Sequence, residues 1–265
     1  MSLTLVLQDK DTIIISGDSR GSLCENEILY AGDDKVQKIT RIGNKVIFSA
    51  GSLWITDNTL EYYRESSDQS IENLKEIGIK VTREFEKLYP DVALHIERKL
   101  ELIIATFENG ISVIYSISSL ENYKILRIEG EKISNTICLG THRDEAMKYC
   151  SLLKGLTSPF NTYERIYDAL SDEQVGGELT IYVLTKDCIS KPYKHNIVDR
   201  RPIRRYNDYN YDLHYMKNAT KVIFISKGDG TGVNWIDVFF VDLDGNIHMK
   251  DAFIELVGSL ATILL

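Results

Sequence analysis

The chain opens on Leu3-Thr-Leu-Val-Leu7, turns at Gln8-Asp9-Lys10-Asp11, and returns through Thr12-Ile-Ile-Ile-Ser16 into Gly17-Asp18-Ser19-Arg20. Two β-rich apolar runs joined by turn residues predict a hairpin. Its return strand ends on a carboxylate and a guanidinium, which sets the chain terminus beside charged groups.

Working outward, Lys35-Val-Gln-Lys-Ile-Thr-Arg-Ile42 and Lys45-Val-Ile-Phe-Ser-Ala-Gly51 flank a turn at Gly43-Asn44, and the segment between Arg20 and Lys35 reads as a polar loop. A helix is expected over 58–67. The clearest helix covers 71–89, where Ile71, Leu74, Ile77, Val81, Phe85 and Leu88 recur at steps of three and four and Pro90 follows. Residues 99–107, 111–117 and 122–128 read as strands, the first two joined by Glu108-Asn109-Gly110. A strand at 136–140 runs into a helix over 142–154, for which Thr141 is the expected cap with Asp144 in support. Ser158-Pro159 opens a second helix, and Gly176-Gly177 precedes a strand over 179–184. Strands, helices, strands, helices and strands in this order describe sheets covered by helices.

Composition changes after residue 187. Lys191, Lys194, Arg200, Arg201, Arg204 and Arg205 precede Tyr206, Tyr209, Tyr211 and Tyr215. Basic residues interleaved with aromatics can bind single strands of nucleic acid, but a solvated or subunit-docking arm is the preferred reading. Strands are expected at 221–226 and 236–242 around a Gly228–Gly232 tip, a tight turn at Asp242–Asn246, and an apolar terminal helix within 253–265.

The net charge of −8 over 265 residues argues against nucleic acid as a partner. Cys24, Cys138, Cys150 and Cys188 show no metal spacing, and the five histidines show neither metal spacing nor a Ser-His-Asp signature. No cofactor or metal is expected. The opening apolar run is too short for a signal peptide and no stretch reaches membrane-spanning length, so the expectation is a cytoplasmic protein without a membrane partner.

Four segments together resemble proteasome β-type subunits and the simpler bacterial proteasome-like proteases, within the N-terminal-nucleophile hydrolases. They are the hairpin ending Gly17-Asp18-Ser19-Arg20, then Lys38-Ile-Thr-Arg-Ile42 with Val46-Ile-Phe-Ser-Ala-Gly51, then Cys138-Leu-Gly-Thr141, and finally Asp172 with Gly176-Gly177 before a strand ending Thr185-Lys-Asp187. The resemblance implies an α+β fold, a four-layer α/β/β/α sandwich over residues 1–187, with residues 188–265 as a C-terminal extension. It also implies a peptide or amide substrate, homo-oligomeric rings and a regulatory ATPase partner.

Carried over residue by residue, it implies Ser2 as the nucleophile once Met1 is removed, with its own α-amine as general base. Asp18 and Lys38 become the carboxylate–lysine pair, with Lys35 the competing lysine, and Gly51 the oxyanion donor. Asp172 and Thr141 become the groups that orient the terminal amine. Met1-Ser2-Leu3 is also a common recombinant leader, and a chain starting with Met before Thr4 would place that hydroxyl two residues short. Val175 stands where the family usually has a serine. The competing expectation is a catalytically inactive relative with a binding, scaffolding or assembly role, towards which Phe239–His248 leans by its resemblance to repeats of phage tail proteins.

Overall fold

The computed structural model describes residues 2–25, 28–200, 202–205, 221–228, 234–241 and 247–252. They belong to two compact units, Met1–Arg204 and Arg205–Leu265. In the first unit, β1 (Leu3–Gln8) and β2 (Thr12–Gly17) form the expected hairpin, with Thr4 opposite Gly17 and Gln8 opposite Ile13. The elements that follow are β3 (Ser22–Glu25), β4 (Ile28–Ala31), β5 (Ile39–Ile42), β6 (Lys45–Gly51), α1 (Leu53–Glu65), α2 (Ile71–Leu88), α3 (Pro90–Leu94), β7 (Leu100–Glu108), β8 (Ile111–Ser118) and β9 (Ile125–Glu129). After these come β10 (Asn135–Gly140), α4 (Arg143–Leu153), α5 (Pro159–Ala169), β11 (Glu178–Thr185) and β12 (Tyr193–Asn196). The strands build two five-stranded antiparallel sheets, β10-β1-β2-β11-β12 and β5-β6-β7-β8-β9, beside the two-stranded β3-β4.

Period-two alternation sorts the apolar residues of each strand onto two faces. Leu3, Leu5, Ile14, Leu179 and Ile181 of the first sheet pack with Ala146, Tyr163, Ile166, Tyr167 and Leu170 of α4, α5 and the residue after it. The opposite face puts Val6, Ile13 and Ile15 in one cluster with Ile39, Val46, Phe48, Ile103 and Ile114 of the second sheet. The outer face of that second sheet, with Ile47, Leu102, Ile104 and Tyr115, packs with Ile55, Leu60, Leu74, Val81 and Phe85 of α1 and α2. Each fully buried branched side chain contributes about 1.5–3 kcal/mol relative to exposure, so these clusters set the register of both sheets.

Local details depart from the sequence reading in several places. The segment after Arg20 is the β3-β4 hairpin rather than a polar loop, and its last strand is held from afar by the Ala31 N–H on the Arg204 carbonyl at 2.7 Å. Helix α1 begins at Leu53, five residues before the expected start, because Ile55 is buried and Trp54 packs on Phe85. Thr141 does not cap α4: His142 holds the cap position without a side-chain cap bond, and the Thr141 hydroxyl is used elsewhere. The first unit also continues beyond residue 187, since β12 pairs with β11.

The second unit contains β13 (Lys221–Gly228), β14 (Asn234–Val241) and β15 (Ile247–Ala252) in an antiparallel sheet, the third strand being additional to the expected hairpin. The basic/aromatic run from residue 206, the turn at 242–246 and the terminal helix within 253–265 lie outside the described residues. Among the described residues no helix is long and apolar enough to cross a membrane.

Candidate functional site

The hairpin delivers Asp18 to the end of β2, where it is 1% exposed and surrounded by donors. Its Oδ1 accepts from the Leu3 N–H at 3.2 Å, one peptide from Ser2. Its Oδ2 accepts from Lys38 Nζ at 2.8 Å, the Arg20 N–H at 3.1 Å and the Gly176 N–H at 3.3 Å. Lys38 precedes β5 and is itself buried, while Lys35 is exposed, so Lys38 is the lysine that meets Asp18. Burial pushes the Lys38 ammonium below its ordinary value, and the Asp18 charge and hydrogen bond only partly counter this.

Ser2 is buried, and its carbonyl accepts the Thr141 N–H at 2.9 Å. Close approach of these strands requires Gly140, whose φ is +94° and whose Cβ would collide with the Ser2 carbonyl oxygen. Gly51 ends β6 at φ +117°, where a Cβ would collide with the Lys99 carbonyl. It is coupled to Lys38 through its own strand, since the Ser49 N–H donates to the Lys38 carbonyl at 2.7 Å.

Asp172 and Thr141 take separate partners. Thr141 Oγ1 donates to Gln174 Oε1 at 2.7 Å. Asp172 Oδ1 accepts from the Gln174 and Val175 N–H groups at 2.7 and 3.0 Å, and Oδ2 meets His142 Nε2 at 2.6 Å. Burial tends to raise the Asp172 carboxyl, but the His142 contact and the two backbone bonds outweigh it and hold the group below the usual carboxylate range. Val175 is buried and contributes backbone groups only to this loop. A cleft of about 240 Å³ beside Gly140 is lined by His142, Arg98, Glu101, Arg143, Asp144 and Glu145.

A carboxyl depressed in the fold stabilises it above the ordinary carboxylate range, and that contribution disappears as pH falls through the folded value, because the unfolded chain binds the proton first. Thermal midpoints of wild type and Asp172→Asn, followed from pH 7 to pH 3, are therefore expected to converge on acidification. Curves that stay parallel would refute this linkage.

His142 and Gln174 carry no signal in the sequence alone, since the histidines have neither metal spacing nor a Ser-His-Asp pattern; only the structure shows His142 at φ +59° directly after Gly140-Thr141. Among the described residues no group of three or more His, Cys, Asp or Glu side chains is placed to hold a metal ion.

No family model matches this chain, and no curated protein matches it. Among solved structures it is similar to the Anbu complex from Pseudomonas aeruginosa, solved as a helical assembly, with a TM-score of 0.54 and 14% identity over 81% of this chain and 95% of that one. The likeness is one of fold. It corrects the sequence-based placement in the proteasome β-type and bacterial proteasome-like protease family, since no family model and no curated protein matches the chain and a likeness at 14% identity carries the fold alone. The segments behind that placement are short strand ends and turns, whose glycine and aspartate positions are demanded by backbone geometry as much as by descent.

Proposed function

We propose that the first unit is a four-layer α/β/β/α sandwich and that it is an amide hydrolase using Ser2 as an N-terminal nucleophile. The layering is supported by the three separate apolar clusters. The observation that carries the chemistry is the buried Lys38–Asp18 pair bonded to the Leu3 N–H, one peptide from Ser2. Cleavage of the Met1–Ser2 bond frees an α-amine of ordinary pKa about 7.7–8.0. Ser2 Oγ then attacks the substrate carbonyl carbon and its proton passes to that amine. The Gly51 N–H receives the oxyanion, the leaving amine takes the proton, and water hydrolyses the resulting ester. The Lys38 charge lowers the effective pKa of the attacking hydroxyl. Self-association belongs to the proposal, supported by the assembled state of the Anbu complex.

A second reading, a silent member with a binding or scaffolding role, is favoured by the loop beyond Ser2. There Val175 brings an isopropyl group rather than a hydroxyl, and Asp172 is engaged by His142. The two readings separate on incubation with a β-lactone, whose ring opens on a nucleophilic hydroxyl and adds its whole mass. Intact mass of protein starting at Ser2 is expected to show one stoichiometric adduct mapping to that residue, and Ser2→Ala is expected to abolish it. Unmodified protein under conditions that acylate a reactive hydroxyl would favour the silent reading.

A further inference from the structure

We propose that His142 is a positioning residue, holding the Asp172 carboxylate and through it the loop that carries Gly176 against Asp18. The inference rests on the hydrolase reading and extends it to a residue outside the sequence motifs. Because a carboxylate has no hydrogen to give, the 2.6 Å contact makes His142 Nε2 the donor to Asp172 Oδ2. The remaining oxygen is bound by the Gln174 and Val175 N–H groups, so the carboxylate organises the turn from inside. The same turn closes with the Asp172 N–H on the Val175 carbonyl at 2.9 Å, and its next residue, Gly176, donates to Asp18 Oδ2. A continuous set of contacts thus runs from His142 through Asp172 to the Asp18–Lys38 pair.

His142 is itself placed by the strand that meets Ser2. The Thr141 N–H is bound to the Ser2 carbonyl, and His142 follows in the left-handed region at φ +59°, a conformation in which histidine is over-represented among non-glycine residues. Its carbonyl accepts the Ala146 N–H at 2.8 Å, which fixes the start of α4. The side chain is about a quarter exposed and Asp172 less so, at the cleft shared with Arg98, Glu101, Arg143, Asp144 and Glu145. Arg98 pairs with Glu101 and Arg143 with Asp144 on this surface. The Val175 isopropyl group is buried in the apolar cluster and offers the carboxylate no hydrogen bond, although its backbone N–H lies 3.0 Å from Oδ1, so Val175→Ser adds a hydroxyl on a residue already bonded to that carboxylate through its backbone.

The test compares wild type, His142→Gln, His142→Leu and His142→Leu with Val175→Ser. Two readouts are used: the Asp172 carboxyl titration by carbon-13 NMR, and the rate of β-lactone acylation at Ser2. His142→Leu is expected to raise the Asp172 midpoint by about one pH unit, since a bond to the charged form is lost. It is expected to slow acylation roughly tenfold to a hundredfold through misplacement of the loop. The Gln variant keeps an N–H donor and is expected to lie close to wild type, and Val175→Ser is expected to restore part of both losses. An unmoved Asp172 midpoint in His142→Leu overturns the proposal, as does a moved midpoint with acylation within about twofold of an active wild type. A wild type that takes no lactone defeats the hydrolase reading instead, and the Asp172 titration then decides whether His142 holds the carboxylate.

Discussion

Replacing Arg20 by alanine is expected to lower the thermal midpoint of the Met1–Arg204 unit by roughly 6–12 °C, from about 3 kcal/mol at 2–4 °C per kcal/mol for a unit of this size. The guanidinium is 1% exposed and is the point where three distant segments meet. Nε and Nη2 bind Asp34 at 2.6 and 3.1 Å, Nη1 and Nη2 bind Asp199 at 3.0 and 2.9 Å, and Nη1 also donates to the Asp172 carbonyl at 2.7 Å. Burial alone would lower its pKa, but the bonds and charges of Asp34 and Asp199 more than offset this, and the pKa is raised. Alanine would leave two carboxylates facing each other and a carbonyl without its donor. Asp34 and Asp199 are each nearly a third exposed, so water can recover part of the loss, which is why the estimate sits at the lower end for a broken buried pair.

Arg20→Lys is expected to recover only a minor share, since one ammonium cannot satisfy two carboxylates and a carbonyl in the planes a guanidinium spans. Gly176→Ala probes the same contact from the other side, because its Cβ would collide with Arg20 Cζ. A midpoint within 2 °C of wild type for Arg20→Ala, measured by calorimetry, would show that the cluster is not a structural staple.

The second large effect is on chemistry. Lys38→Met is expected to slow β-lactone acylation of Ser2 by roughly 10²–10³-fold, the scale of losing a preorganised charge beside the reacting oxygen. Asp18 keeps its bonds from the Leu3, Arg20 and Gly176 N–H groups, so its carboxylate remains partly compensated and the fold is expected to survive. The thermal midpoint of Lys38→Met separates instability from lost chemistry: a midpoint within a few degrees of wild type with acylation lost assigns the effect to the reaction.

The pH profile carries a second signature. Under the proposed mechanism acylation is expected to rise as the α-amine loses its proton and to fall as Lys38 loses its charge. Since burial lowers the Lys38 pKa, that falling limb is expected below the ordinary lysine value of 10.5. The stability sign is opposite to that of a favourable pair: between the lowered folded value and the ordinary one the unfolded chain binds more protons, so stability rises with pH through that window. An alkaline limb that persists unchanged in Lys38→Met would assign it to another group, and a variant that acylates at the wild-type rate would remove Lys38 from the reaction.

Much of this fold is legible residue by residue because its signals are local. Alternation in Leu3–Leu7 and Thr12–Ser16 marks two strands, the three-and-four spacing from Ile71 to Leu88 marks a helix, and Ser158 caps α5 by accepting the Asn161 N–H. The same logic fails at Thr141, whose type suits a cap but whose hydroxyl is drawn to Gln174, thirty-three residues away. It also fails between Ser22 and Ala31, where mixed polarity hides a hairpin held by Arg204.

By itself the sequence determined most of the strands and helices of the first unit and the turn glycines between them. Hydrophobic periodicity and backbone conformational limits act over a few residues, and a linear chain displays them. Tertiary structure alone decided that Lys38 rather than Lys35 meets Asp18, that His142 closes on Asp172, and that Arg20 reaches Asp199 across 179 residues. Those choices depend on which charged groups are driven out of water together when the sheets pack, and no local pattern records that.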